Sequence, residues 1–301
     1  MRHFLITGGT GFIGTALCRK LLQHGDRVTV LTRDPGQAGL IEHEAISYVA
    51  TLDAIAADAT FDAIINLAGR SLNSGRWTAA LKQDFIDSRV ATTRALVNWM
   101  GQQAKPAPTL ISASAIGWYG HHDSTPLTET STANDGYSHQ LCAAWEGAAR
   151  DAEAFGTRVV CLRIGIVLES DGGSLPAMLP AFRCGAGGPL GSGKQYWSWI
   201  HRADLIRLIE FALSNEKLFG PVNATAPQPL PQREFARVLG HALRRPAFAP
   251  LPAFMARLML GEFADELLLN GQNVLPHVAV QSGFDFRYPT LADALTDIMS
   301  D

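Results

Sequence analysis

Short apolar runs recur along the chain, each followed by a longer stretch with apolar residues at helical spacing. Phe4–Thr7 predicts a buried strand. Behind it, Phe12 to His24 predicts an amphipathic helix that Gly25 ends. Arg27–Leu31, Ile46–Val49, Ala63–Asn66, Thr109–Ser112 and Arg158–Ile164 predict further strands. Between them, Thr78–Met100 and Ser138–Phe155 predict long helices, the second closed by Gly156. Strands alternating with helices imply an α/β fold: a Rossmann-type, doubly wound parallel sheet with right-handed crossovers. In such sheets ligands bind outside the carboxyl ends of the strands, where the strand order reverses.

The rhythm changes after Arg163. Gly172 to Gly193 is rich in Gly and Pro and reads as irregular. A helix at 202–214, a strand at Val222–Ala224 and a helix at 231–243 follow. Beyond Pro246 the frequent Pro, Phe, Met and Leu predict small helices. The expected organisation is a doubly wound domain over residues 1–165, to which parts of 195–225 return. A smaller mixed substrate-cap region would occupy 166–301 and include a short helical C-terminal domain at about 247–297.

The first strand runs directly into Gly8, Gly11 and Gly14, a Gly-x-x-Gly-x-x-Gly rhythm with Thr7 and Thr10 between. The first glycine can take backbone angles that a side chain forbids. The second lets the main chain approach a pyrophosphate, and the third lets the helix pack close to its strand. The helix then aims free N–H groups and its positive dipole end at the phosphates. A strand before the glycines and a helix after them is the context this motif requires. The second strand ends Val28-Thr-Val-Leu-Thr-Arg33. An NAD site commonly has an Asp or Glu there, on the ribose hydroxyls. Thr32 and Arg33 stand there instead, and a guanidinium pairs with a 2′-phosphate, which predicts NADP(H) over the alternative NAD.

Composition narrows the classes without changing this picture. The 301 residues suffice for a large core, and 47% apolar with 18% charged residues is ordinary for a globular protein. A net charge of −3 gives no electrostatic case for nucleic acid or an anionic membrane. Cys18, Cys142, Cys161 and Cys184 are widely spaced and read as reduced, mostly buried thiols. The first strand begins without the charged start, apolar run and cleavage site of a signal peptide, and no apolar run reaches membrane-spanning length. The expected location is cytoplasmic.

Several separated pieces resemble the extended short-chain dehydrogenases/reductases, which include sugar-nucleotide epimerases and dehydratases. They are Thr7-Gly-Gly-Thr-Gly-Phe-Ile-Gly14, Asn66-Leu-Ala-Gly69, Ser112-Ala-Ser-Ala-Ile-Gly-Trp-Tyr-Gly120, Leu162-Arg-Ile-Gly165 and Trp199-Ile-His-Arg-Ala-Asp204. Trp145-Glu146, Gly187-Gly-Pro-Leu-Gly-Ser-Gly-Lys-Gln-Tyr196 and Gly271-Gln-Asn-Val-Leu-Pro276 are similar to a narrower YfcH-type epimerase-like subfamily, with a short C-terminal domain of unknown role. The resemblance implies that Gly8, Thr10, Gly11, Phe12, Ile13 and Gly14 hold the pyrophosphate and that Thr32 and Arg33 hold the adenosine end. It implies that Leu67, Ala68 and Gly69 line the floor near the ribose. Asp84 and Arg89 would reach in from the long helix, and Arg163 would complete the pocket. A homodimer through helices 78–100 and 138–155 is implied in the same way.

The superfamily's catalytic set is a Ser or Thr, a Tyr, and a Lys four residues later. The Lys and the cofactor lower the Tyr pKa so that the phenol exchanges a proton with substrate. Ser114 stands at the serine position and Tyr137 is the tyrosine candidate, but Leu141 replaces the Lys. Sliding by one residue offers Ser138 and Cys142, which is no better. Without its cation a tyrosine titrates near about 10, a poor base at neutral pH. Tyr119, His139 and Gln140 are the substitutes at hand. Gly188-Pro-Leu-Gly-Ser-Gly-Lys194 mimics a phosphate loop, but Gln195 replaces the magnesium-binding hydroxyl. His121-His122-Asp123 lacks a second ligand cluster for a metal. The expected function is an NADP(H)-dependent oxidoreductase or epimerase-like enzyme, acting on a small polar, sugar-like molecule. The alternatives are a non-catalytic NADP(H)-binding sensor or partner-binding protein, and an isomerase or dehydratase that recycles a retained cofactor.

Overall fold

The structure, a computed structural model, describes residues 1–36 and 40–300. Seven strands form one parallel sheet: β1 (His3–Thr7), β2 (Arg27–Leu31), β3 (Ile46–Val49), β4 (Ala63–Asn66), β5 (Thr109–Ala115), β6 (Arg158–Ile164) and β7 (Gly220–Ala224). Their spatial order is β7-β6-β5-β4-β1-β2-β3, so the order reverses between β1 and β4. The central strands β1 and β4 read as near-continuous apolar runs because both faces are covered, whereas the edge strand β3 is only half-buried. Phe4 and Ile6 pack with Leu17 and Leu21 of α1 (Phe12–Gln23) on one face. Leu5 and Ile64 pack on the other face with Leu96, Val97 and Met100 of the helix at Thr92–Gln102.

The predicted helix at 78–100 is interrupted. It comprises α2 (Ala79–Ile86), a π-helical turn at Asp87–Ala91, and α3 (Thr92–Gln102). Thr78 caps α2 through its side chain, which accepts from the Leu81 N–H at 3.1 Å. A π turn re-aims the side chains it carries and recurs at functional sites. The next helix, α4, covers Tyr137–Arg150 and passes into a 3₁₀ turn at Asp151–Phe155, and Gly156 follows with φ +82°.

The 172–193 stretch differs from the expected irregular segment. Leu175–Arg183 forms α5, with Leu175, Leu179 and Phe182 buried at helical spacing. Pro176 sits in the first turn, where its missing N–H costs nothing. The helices α6 (Arg202–Ser214) and α7 (Gln232–Ala242) follow, and α8 (Ala253–Leu260) opens the C-terminal segment. A second core gathers Trp197, Trp199, Phe235, Leu239, Leu291, Leu295 and Ile298 with α5. Asn273–Val274 pairs with Pro126–Leu127, which lays the C-terminal segment against the loop that follows β5. Cys18, Cys142 and Cys161 are buried, whereas Cys184 is exposed. Among the described residues no helix is long and apolar enough to cross a membrane.

Candidate functional site

At the carboxyl end of β1 the chain turns so tightly that side chains have no room. Gly8 has φ +69°, and a Cβ there would lie 2.6 Å from the Leu67 carbonyl oxygen. A Cβ on Gly14 would lie 2.2 Å from the Gly8 oxygen and 2.7 Å from the Gly9 Cα, because α1 rests directly on the turn. Gly11 is the N-cap residue of α1; no side chain caps the helix and its first turn has no acidic residue. Thr10 and Gly11 are exposed, and Phe12 and Ile13 are half-buried. Such a terminus is an anion site ready for occupation. Phe12 is held from above by Gly172 and Gly173 and by the Arg202 guanidinium, 4.8 Å from its ring centroid.

Beside this cradle, Thr32 is half-buried and Arg33 is exposed at the end of β2. Among the described residues no carboxylate pairs with Arg33. On the other side of the switch point, Leu67, Ala68 and Gly69 continue from β4, half-buried to exposed. A buried polar line fixes that floor. The Ala68 N–H donates to Thr7 Oγ1 (3.2 Å), Thr7 donates to Asn66 Oδ1 (2.6 Å), and Asn66 Nδ2 donates to Thr93 (2.8 Å) and Ser112 (3.1 Å). The π turn aims Arg89 at Gly69, whose absent Cβ would lie 3.2 Å from the guanidinium carbon. Arg89 donates to the Arg70 carbonyl at 2.9 Å, and burial lowers its pKa from the ordinary value. Asp84 is exposed and pairs with Arg70 at 2.6 Å.

Two expected ligand contacts lie in a sealed network instead. The Ser114 hydroxyl donates to Glu146 Oε1 at 2.7 Å and is 3% exposed. Arg163 makes a two-pronged bond to Glu146 (2.9 and 3.0 Å), donates to the Tyr119 hydroxyl (3.2 Å) and lies 3.4 Å from the Trp118 ring centroid. Tyr119 donates onward to Asn223 Oδ1 at 2.7 Å. A guanidinium at 2% exposure with three such bonds anchors β6 to α4 and leaves little to offer a ligand. The sequence places Arg163 at a strand end but does not reveal that Glu146 reaches it.

Tyr137 is likewise occupied. Its hydroxyl donates to the Lys82 carbonyl at 3.1 Å, and the Lys82 ammonium sits 4.8 Å from its ring centroid. Burial pushes its pKa up to about 12, so it is a neutral phenol and no base. Leu141 packs with Trp77 and Phe85 in the same apolar cluster. Of the substitutes, Tyr119 is fully buried, His139 is tied through Nδ1 to the Trp118 carbonyl, and Gln140 donates to Asp135 at 3.0 Å. The residue that sequence reasoning missed is Glu266. It accepts from Ser138 at 2.5 Å and lies 3.5 Å from His121 Nε2. No local pattern marks it, because it meets Ser138 from 128 positions away.

Comparison with known proteins accords with this geometry. Residues 4–223 match the NAD dependent epimerase/dehydratase family, and residues 251–298 match a domain of unknown function, DUF1731. The chain is 38% identical to Epimerase family protein ML0860 of Mycobacterium leprae, covering 97% of this chain and 94% of that protein. It is 39% identical to the chloroplastic SDR39U1 homolog of Arabidopsis thaliana, covering 98% and 86%. The crystal structure of human epimerase family protein SDR39U1 with NADPH superposes with a TM-score of 0.89 at 33% identity, over 99% of both chains. MoeE5 in complex with UDP-glucuronic acid and NAD, at 20% identity and a TM-score of 0.77, shows the shared fold alone. A glycine-lined dinucleotide cradle on a seven-stranded parallel sheet, matched along nearly its whole length by these relatives, places this chain in the NAD dependent epimerase/dehydratase family.

Proposed function

We propose that this chain is an NADP(H)-dependent oxidoreductase or epimerase-like enzyme acting on a small polar, sugar-like molecule. The observation that carries the reading is the uncapped N-terminus of α1 behind Gly8, Gly11 and Gly14, with Arg33 exposed beside it. The NADPH in the human relative's structure supports the same cofactor. In this reading Gly8, Thr10, Gly11, Phe12, Ile13 and Gly14 hold the pyrophosphate. Thr32 and Arg33 hold the adenosine ribose and its 2′-phosphate, and Leu67, Ala68 and Gly69 support the second ribose. Arg89 closes that side, and its desolvated guanidinium is strengthened toward an anion by the low local dielectric. The cofactor supplies a nicotinamide ring that gives or takes a hydride. The protein binds it, orients it and excludes water.

Calorimetry with NADPH and NADH tests this. NADPH is expected to bind at least about tenfold more tightly, and Arg33→Ala to remove most of that preference while leaving NADH affinity unchanged. Equal affinities, or tighter NADH binding, would overturn the assignment.

The second reading is a non-catalytic NADP(H) sensor. It is favoured by Tyr137, a phenol fixed to a backbone carbonyl with leucine where the cation belongs. A sensor binds NADPH equally well and leaves carbonyl compounds unreduced.

A further inference from the structure

We infer that Glu266, supplied by the C-terminal segment, is the proton acceptor at the reaction end of the crevice and works through the Ser138 hydroxyl. The inference rests on the dinucleotide reading above. With the pyrophosphate at α1 and the adenosine over β2, the other half of the dinucleotide runs across β4 toward β5. Ser138 lies at that end. A Cβ on Gly117, two residues beyond the last residue of β5, would lie 3.1 Å from the Ser138 Cβ. Ser138 Oγ donates to Glu266 Oε2 at 2.5 Å, and His121 Nε2 faces Glu266 Oε1 at 3.5 Å. Ser138 is 8% exposed, the Glu266 side chain 13% and His121 32%, so the relay is shielded and opens to solvent on the His121 side.

The neighbouring charges are spoken for. Asp265 pairs with Arg257 at 2.9 Å, and Glu262 pairs with Lys82. Besides Ser138 and His121, the ionisable group that Glu266 acts on from α4 is Tyr137, the phenol already pushed up to about 12. His121, with help from Ser138, holds the Glu266 carboxyl below the usual carboxylate range. At neutral pH Glu266 is therefore an anion with a hydroxyl donor in front of it.

The step concerns a secondary alcohol and an oxidised nicotinamide dinucleotide. The substrate O–H proton passes to Ser138 Oγ while the Ser138 proton passes to Glu266 Oε2. The carbinol C–H bond breaks, and its electron pair leaves as hydride to the nicotinamide. The remaining O–H electron pair forms the C=O bond. Products are a carbonyl compound, the reduced dinucleotide and a protonated Glu266. The reverse sequence reduces a carbonyl.

Glutamine separates this role from a structural tie. Glu266→Gln keeps the shape: its single amide oxygen still accepts from Ser138, its NH2 faces His121 Nε2, and it takes no proton. The assay follows NADPH formation from NADP+ with acetoin and 1-phenylethanol as secondary-alcohol probes, the direction in which Glu266 takes the proton. E266Q is expected to lower turnover at least about 100-fold, with NADPH affinity within about twofold and Tm within about 3 °C of the parent. Should E266Q fail to fold, Glu266→Asp keeps the charge one methylene short, and turnover is expected to fall about tenfold. An independent readout is the infrared titration of the Glu266 carboxyl, taken as the parent-minus-variant difference. It is expected to stay ionised below the ordinary glutamate range and to move upward in His121→Gln. The inference is overturned by parental turnover in E266Q, by a Glu266 that titrates as an ordinary glutamate, or by a parent that binds NADPH and oxidises neither probe. Failure of the parent to bind NADPH overturns the underlying reading instead.

Discussion

Gly14 and Gly11 stand three positions apart and answer to different constraints. A methyl on Gly14 meets three backbone atoms, the Gly8 oxygen at 2.2 Å, the Gly9 Cα at 2.7 Å and the Gly8 carbonyl carbon at 2.9 Å, and none can yield without opening the βα turn. Gly14→Ala is expected to cost about 1–3 kcal/mol, an overpacking penalty, and to weaken NADPH at least about tenfold. A methyl on Gly11 meets only the Gly8 oxygen at 3.2 Å, and its φ of −85° suits any residue. Gly11→Ala should leave Tm within about 2 °C and still raise the NADPH Kd about tenfold, since the methyl stands where the pyrophosphate approaches. Melting curves and calorimetry on both variants check this; equal loss of stability in the two would sink the division of roles. These glycines were legible because each constraint is local. Arg163 was not, because a guanidinium at a strand end looks the same whether it faces a ligand or, as here, a carboxylate borne by α4.

At the scale of elements, the proposed departure from the superfamily falls on α4. The expected lysine position holds Leu141, 5% exposed, in a cluster with Trp77, Phe85, Tyr137 and Phe263. Leu141→Lys restores the superfamily's spacing, but the ammonium must displace leucine among aromatic rings. The variant is expected to lose about 3 kcal/mol or more and to gain no reductase turnover. Urea unfolding and NADPH oxidation measure the two outcomes, and a stable, more active L141K would show that the cluster opens. The elements themselves were largely readable. Arg27–Leu31, Ala63–Asn66 and Arg158–Ile164 fall at the read boundaries because their buried apolar runs end where burial ends, and Ile46–Val49, the half-buried edge strand, falls there too. β5 runs on past Ser112 to Ala115, since Ala and Ser carry no hydrophobic signal. The α5 helix was hidden by Pro176, Pro180 and flanking glycines, and tertiary burial of Leu175, Leu179 and Phe182 overrides them.

The whole molecule is closed by its C-terminal segment, and the contacts that close it are long-range, which is why sequence patterns were silent about them. Asp204 accepts from the N–H groups of Arg287 (3.0 Å) and Tyr288 (2.8 Å), and the Gln272 amide donates to the Gly120 carbonyl at 2.7 Å. Tyr288 stacks on His201 with ring centroids 4.0 Å apart. His201 is 2% exposed, and its Nδ1 accepts the Ala203 N–H at 3.0 Å, so that nitrogen has no room for a proton. Burial lowers the His201 pKa from 6.5, while Glu169, Asp297 and Asp204 oppose the shift and Arg202 adds to it. A depressed histidine means that the unfolded chain binds a proton the folded chain refuses. Its contribution to stability is therefore complete above pH 6.5 and is lost as pH falls from 6.5 toward the folded pKa. His3, also lowered by burial, acts in the same direction, so the comparison must be with a single variant. His201→Asn keeps a side-chain acceptor for Ala203 and does not titrate. Urea unfolding of parent and variant from pH 8 to pH 5 should give parallel stabilities above about pH 7. Below pH 6.5 the parent should lose up to about 1.4 kcal/mol per pH unit more than H201N. Parallel curves over the whole range would mean that the imidazole takes its proton without disturbing the cap, and that His201 does not couple closure of the molecule to pH.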